Sequence, residues 1–191
     1  MSRVFWVRHG PTHETAFVGH RDVPADLSDT AQIARIDRDL PDAAIVVSSD
    51  LSRAVDTADA IQNTRHRLPH NPNLREFDFG DWDGLHHSDV TARDPDLVRR
   101  FWETPGDLAA PGGESWNMVA ARVSAAIDAI ITRNPRRDII AVAHIGVIMT
   151  QIQRASGCTA YQAMSHQIAN FSITEIQMWP IRGIARINHL P

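Results

Sequence analysis

The sequence predicts an α/β domain, a three-layer sandwich with a mostly parallel central sheet and helices on both faces. Three short apolar runs, residues 4–7, 43–47 and 138–143, have the length and composition of buried strands. Segments with apolar residues at helical spacing lie between them. Strands that alternate with helices are typical of a parallel sheet, and 191 residues suit one domain spanning 1–191.

The remaining elements follow from local patterns along the chain. Helices are predicted over 27–40, over the segment that carries Ala54, Ala58 and Ile61, and over 88–102, 114–133 and 146–155, with an interruption at Pro95. Ser48, Ser49 and Asp50 are candidate N-caps for the second helix. Strands are predicted near 74–77 and over 170–178 and 184–190, with loops at 105–113 and a hairpin turn at 180–183.

The amino-acid composition and net charge of the chain exclude several classes of function. All 19 basic residues are arginine, which excludes chemistry that needs a lysine, such as Schiff bases and the P-loop. The net charge of -4 suggests no nucleic-acid or membrane-surface partner. The apolar runs are too short to cross a bilayer, no secretory leader is recognisable, and Cys158 is the only cysteine, so we expect a cytoplasmic protein.

Polar residues follow each of the three predicted parallel strands. Arg8 and His9 follow the first strand, Arg53 comes shortly after the second, and His144 follows the third. Because ligands bind at the carboxyl ends of parallel strands, these side chains should meet at one edge of the sheet. Two arginines beside two imidazoles suit a dianion. Taken singly, each residue has an alternative role, as a surface turn, a core histidine or a solvated arginine.

This residue set predicts phosphoryl transfer. A neutral imidazole is a good nucleophile toward phosphorus, and His9 is the candidate. Arg8, Arg53 and His144 would stabilise the oxygens of the transferring group. Glu76, among apolar and aromatic neighbours, is the candidate proton donor, although a surface carboxylate is the alternative. The sequence shows no clear metal-ligand cluster, and the adjacent pair His86 and His87 cannot face one ligand on a regular element, so no metal is expected. No cofactor is expected either.

Four segments in this order resemble the histidine phosphatase superfamily, which includes the cofactor-dependent phosphoglycerate mutases. They are residues 8–12 (RHGPT), 49–58 (SDLSRAVDTA), 74–84 (LREFDFGDWDG) and 142–146 (VAHIG). The resemblance covers nearly the whole chain and is greatest to the small phosphatases, such as α-ribazole phosphatase. It implies that His9 is phosphorylated, that Arg8, Arg53 and His144 bind the phosphoryl group, and that Glu76 is the proton donor.

The sequence departs from the family pattern at positions near the expected substrate. Pro11 stands where many members have Glu or Gln, Thr15 where many have a phosphate-binding Asn, and Ile145 where many have Gly. Thr15 and Ile145 are therefore candidate substrate contacts. We expect a lid at 86–113, and its aromatics Phe101 and Trp102, with Trp116, either line a site for a ring-bearing leaving group or pack the lid onto the domain.

The expected function is hydrolysis of a small phosphorylated metabolite through a phosphohistidine on His9. Two alternatives remain open: a phosphoglycerate-type mutase and a non-catalytic module that binds phosphorylated ligands. The expected partner is a small phosphorylated substrate, and the chain is expected to be a monomer or a homodimer.

Overall fold

The computed structural model describes residues 2–179 and 182–191 and confirms the predicted α/β fold. The strands are β1 (Ser2–Arg8), β2 (Ile45–Ser48), β3 (His66–Arg67), β4 (Ile139–Ala143), β5 (Ile173–Trp179) and β6 (Gly183–His189). The helices are α1 (Thr30–Asp39), α2 (Ser52–Gln62), α3 (His87–Arg93), α4 (Pro95–Glu103), α5 (Trp116–Arg133), α6 (Ile145–Ser156) and α7 (Ala160–Met164). None of these helices is long and apolar enough to cross a membrane.

One sheet runs through the domain in the order β3-β2-β4-β1-β5-β6. The first four strands of that order pair in parallel, and β5 and β6 pair antiparallel at one side. Alternate residues of the central strands enter two separate cores, so that Val4 and Trp6 face one core while Phe5 and Val7 face the other. Apolar residues of α1 and α2 fill the second core, whereas α3 to α7 contribute to the first, which gives the three layers.

The carboxyl ends of β1, β2 and β4 coincide at one edge of the sheet. The pairing register joins Arg8 to Ala143 and Ser48 to Val142. The backbone N–H groups of His9 and Ser49 continue the ladder, donating to Ala143 and Val142 over 3.1 and 3.0 Å. The residues that follow these three strands therefore lie side by side.

Several local predictions are wrong. Residues 74–77 form no strand, because Asn71 accepts a hydrogen bond from the N–H of Asn73 and caps a 3₁₀ turn over Pro72–Leu74 instead. Ser48, Ser49 and Asp50 do not cap α2, which has Leu51 at its N-cap; Asp22 accepts hydrogen bonds from the backbone N–H and hydroxyl of Ser52, each at 2.8 Å. The short elements β3 and α7 were not predicted, and part of the turn predicted at 180–183 lies outside the described residues.

Residues 86–113 contain α3, α4 and the loop before α5. Pro95 stands at the first position of α4, where its missing N–H costs nothing, so it starts a helix as well as ending the previous one. Val90, Val98 and Phe101 are buried in the same core as the central strands. Phe101 packs edge-on against Trp82, with ring centroids 5.2 Å apart. This contact joins residues 86–113 to residues 74–84, the segment that carries Glu76.

Candidate active site

Two buried histidines lie at the strand edge. His9 follows β1 and His144 is the N-cap of α6, and their ring centroids are 5.1 Å apart. The Nδ1 atom of His9 lies 2.6 Å from the carbonyl oxygen of Gly10. A carbonyl only accepts, so Nδ1 carries the proton and Nε2 keeps its lone pair.

Burial keeps both imidazoles neutral. Burial, with the positive charges of Arg53 and Arg8, lowers the pKa of His9 to about 3. Burial also holds the pKa of His144 well below its usual range. At neutral pH the unprotonated Nε2 of His9 is thus available as a nucleophile.

Arg53 orients His144. Its side chain on α2 is almost fully buried, and its Nε donates to Nδ1 of His144 over 3.2 Å. Since Nδ1 of His144 is the acceptor, the proton of this ring is on Nε2. Among the described residues, this buried Nε2 has no hydrogen-bond partner. This N–H group of His144 is therefore free to donate a hydrogen bond to a ligand.

Arg8 and Arg53 place two guanidinium groups in the same buried region. Nη1 and Nη2 of Arg53 donate to the carbonyls of Arg21 and Gly19, and Nη1 of Arg8 donates to the carbonyl of Ile168. Within the described part of the chain, Nε of Arg8 is buried without a partner. Burial lowers the pKa of both arginines, which reflects the cost of desolvating two cations that an anionic ligand would offset.

The backbone around His9 is held by residues that the sequence did not single out. Thr57 on α2 accepts a hydrogen bond from the N–H of Gly10 over 3.0 Å. Asn170 donates to the carbonyls of His9 and Gly10 over 2.8 and 3.2 Å. Asn170 is 161 residues away from His9, and no local signal could have linked them.

Glu76 reaches the same edge from the segment before α3. It is 4% exposed, and its two oxygens accept hydrogen bonds from the backbone N–H groups of Phe77 and Gly146 over 3.0 and 3.2 Å. A Cβ on Gly146 would lie 2.6 Å from Oε1 of Glu76 and 2.5 Å from the Phe77 ring. Only glycine therefore lets the start of α6 approach this carboxyl group so closely.

Arg122 on α5 holds the backbone that carries Glu76. Its Nη1 donates to the carbonyls of Asn73 and Arg75, and its Nη2 donates to the carbonyl of Glu76, over 2.8 to 2.9 Å. It also makes a bidentate pair with Glu114, with both contacts at 2.7 Å. Burial acts to raise the pKa of Glu114, but hydrogen bonds from Arg122 and from the N–H of Asp78 outweigh it and lower the pKa.

The side chains surround two adjoining cavities. The first, of about 210 Å³, is named the histidine cavity and is lined by Arg8, His9, Thr12, Glu14, Ala16, Phe17, Val18, Arg53, Glu76, Phe79 and Ile145. The second, of about 230 Å³, is named the aromatic cavity and is lined by Glu76, Phe77, Phe79, Phe101, Trp102, Pro105, Leu108, Trp116, Ile145, Gly146, Met149 and Met164. Glu76, Phe79 and Ile145 line both.

The structure brings most of the predicted site residues together. Arg8, His9, Arg53, Glu76 and Ile145 line the histidine cavity, and His144 is buried with its ring centroid 5.1 Å from that of His9. Thr15 is exposed and lies outside both sets of lining residues; Thr12 and Glu14 line the cavity from the same loop. In the described ranges, no group of three or more His, Cys, Asp or Glu side chains is arranged to hold a metal ion.

Comparison with known proteins identifies relatives across the whole domain. The family model of the histidine phosphatase superfamily (branch 1) matches residues 4–187. A bifunctional protein of Mycobacterium tuberculosis is 35% identical over 135 residues, which cover 69% of this chain and 37% of that protein. The chain thus matches little more than a third of the length of this relative.

Solved structures of two phosphatases share the fold. The mycobacterial glucosyl-3-phosphoglycerate phosphatase is similar with a TM-score of 0.86 and 26% identity, over 99% of both chains. The α-ribazole phosphatase from Shigella flexneri is similar with a TM-score of 0.82 and 25% identity, over 98% of this chain and 96% of that one.

Proposed function

The chain belongs to the histidine phosphatase superfamily (branch 1), and we propose that it hydrolyses small phosphomonoesters through a phosphohistidine on His9, without a metal. One observation carries the proposal. The neutral imidazole of His9 keeps a free Nε2 lone pair in the cavity that is also lined by the guanidinium groups of Arg8 and Arg53. The relatives named as phosphatases support hydrolysis as the outcome.

In the first step, Nε2 of His9 attacks the phosphorus atom and the bond from phosphorus to the ester oxygen breaks. Arg8 and Arg53 bind the non-bridging oxygens, and the free Nε2–H of His144 donates to one of them. Protonated Glu76 gives its proton to the departing ester oxygen, so the alcohol leaves neutral and the carboxylate remains.

In the second step, water attacks the phosphohistidine from the position the alcohol has left. The Glu76 carboxylate takes a proton from this water, the bond from nitrogen to phosphorus breaks, and Nε2 of His9 regains its lone pair. Inorganic phosphate then leaves. The two arginines supply the positive charge that the transferring group needs.

The test is an assay of phosphate release in excess chelator, with a panel that includes a phosphoglycerate, an alkyl phosphate and an aryl phosphate. His9→Asn should abolish release. His13→Asn is a matched control, because His13 is an exposed histidine of the following loop, paired with Asp26 and outside both cavities. It should retain the activity of the wild type.

Rapid acid-free quenching should also trap acid-labile phosphate on the wild type and none on His9→Asn. Phosphate release by His9→Asn at the rate of the wild type would overturn the proposal. Labelling of His9 followed by transfer to an alcohol, without net release, would instead identify a mutase. Saturable binding with neither labelling nor release would identify a phospho-ligand-binding module.

A further inference from the structure

Resting on the proposed function, we infer that the aromatic cavity binds the leaving group and that this group is apolar, an aryl or medium-chain alkyl alcohol. The cavity adjoins the histidine cavity, and its surface carries one ionisable side chain. The inference names the class of phosphomonoester that the site prefers.

The described lining of the aromatic cavity is apolar except at Glu76 and at the indole N–H of Trp102, a buried donor without a hydrogen-bond partner among the described residues. The walls of the cavity come from the segment before α3 that carries Glu76, Phe77 and Phe79, and from α4, the following loop, α5, α6 and α7. The side chains that define it are Phe101, Trp102, Leu108, Trp116, Met149 and Met164. A group that enters this space exchanges water for carbon and sulfur atoms, which favours apolar ligands and penalises hydroxyls and carboxylates.

The polar atom of Trp116 is already satisfied elsewhere. Its indole N–H donates to Oε1 of Gln153 over 2.6 Å, so the ring offers only its carbon surface to the cavity. The two methionines add flexible, polarisable walls that adapt to ligands of different shape. Among the described residues that line this cavity there is no arginine, so a negatively charged leaving group would find no counter-charge from them.

The position of Glu76 connects the two cavities chemically. Glu76 lines both, together with Phe79 and Ile145. When the phosphoryl group lies against His9 and its ester oxygen receives the proton of Glu76, the rest of the alcohol extends past this carboxyl group. The space on that side is the aromatic cavity.

The volume sets the size of the leaving group. Apolar cavities of about 150 Å³ bind benzene. A cavity of about 230 Å³ has room for one ring with a substituent, two fused rings or a medium-length alkyl chain. A long lipid chain is too large for it.

A homologous series of alkyl phosphates, from ethyl to octyl, tests the inference at nearly constant leaving-group acidity. For the wild type, kcat/KM should rise about fourfold for each added methylene that enters the cavity, and then level off. Glycerol phosphate, which has a similar backbone with hydroxyls, should be a much poorer substrate than propyl phosphate. Equal kcat/KM across the series, with measurable turnover, would overturn the inference and leave the proposed function intact.

Substitutions in the wall locate the effect. Leu108→Trp should fill the cavity and lower the ratio of kcat/KM for octyl over ethyl phosphate at least tenfold. Leu190→Trp is the matched control, since Leu190 is 51% exposed and lies outside the cavity. If Leu108→Trp does not fold, Met149→Gln places an amide in the same wall with little change in volume and should lower the same ratio. An unchanged ratio in a folded variant would overturn the inference.

A binding measurement separates the two proposals. Alkylphosphonates cannot be hydrolysed, so their Kd reports on the cavities without turnover. A Kd that falls with chain length in the wild type but not in Leu108→Trp supports the apolar site, even if no phosphate ester is hydrolysed. A Kd that is independent of chain length would overturn the inference whatever the catalytic assays show.

Discussion

Arg122→Met tests whether the position of Glu76 depends on a clamp from α5. The substitution keeps the length of the side chain and removes all five hydrogen bonds to the segment around Glu76 and to Glu114. Both partners of the ion pair have side chains that are 17% exposed, so Glu114 would lose its counter-charge in a poorly hydrated place. Its pKa should rise, because the hydrogen bonds from Arg122 are among the causes that lower it.

The magnitude follows from this burial. Removing one partner of a fully buried ion pair costs about 3–5 kcal/mol of unfolding free energy. The pair of Arg122 and Glu114 is only partly buried, so its loss should cost about 3 kcal/mol or less. The effect on catalysis should be separate from this loss. A shift of about 1 Å in Glu76 lowers proton transfer to the leaving oxygen roughly 10- to 100-fold, because general acid catalysis requires hydrogen-bond contact.

The assay compares the kcat of substrates that differ in their leaving group, at a temperature below the melting temperature of the variant. Alkyl phosphates need the proton of Glu76 for their alcohol to leave, so their kcat should fall. The leaving group of p-nitrophenyl phosphate is p-nitrophenolate, a stable anion that needs no proton, so kcat for this substrate should change little. The inhibition constant of inorganic phosphate should not change, since Arg122 does not line the histidine cavity. Arg99→Met, which breaks two exposed ion pairs on α4, is the control and should behave as the wild type. Equal losses on both kinds of substrate would refute a positioning role.

Two further predictions concern pH and packing. The folded pKa of His9, about 3, lies below the ordinary value of 6.5, so the unfolded chain binds the proton first and stability falls as pH drops from about 6.5 to about 3. His9→Gln should flatten that fall by up to about 1.4 kcal/mol per pH unit in denaturant titrations, and an unchanged slope would contradict the neutral, buried histidine. Gly146→Ala should lower the unfolding free energy by about 1–3 kcal/mol and reduce kcat, because its Cβ would collide with Glu76 and Phe77. Gly183→Ala, which meets nothing within 4 Å, should do neither.

The sequence by itself determined the strand ends and the residues that follow them. Strand length, apolar content and alternation with helices are local properties, and parallel pairing brings successive strand ends to one edge. Arg8, His9 and His144 could be placed there for that reason. The same local reasoning was wrong at 74–77, where apolar residues stand at both ends of the run but the cap at Asn71 starts a 3₁₀ turn.

Only the tertiary structure decided which groups are free to react. The hydrogen bond to Gly10 sets the tautomer of His9, and Arg53 sets that of His144, across 91 residues of sequence. The reach of Arg122 to Glu76 and the aromatic cavity likewise depend on how α5, α6 and α4 pack together. Except for the contact between His9 and Gly10, these contacts join residues far apart in the chain. A periodic pattern encodes which face of an element is buried but not what that face meets.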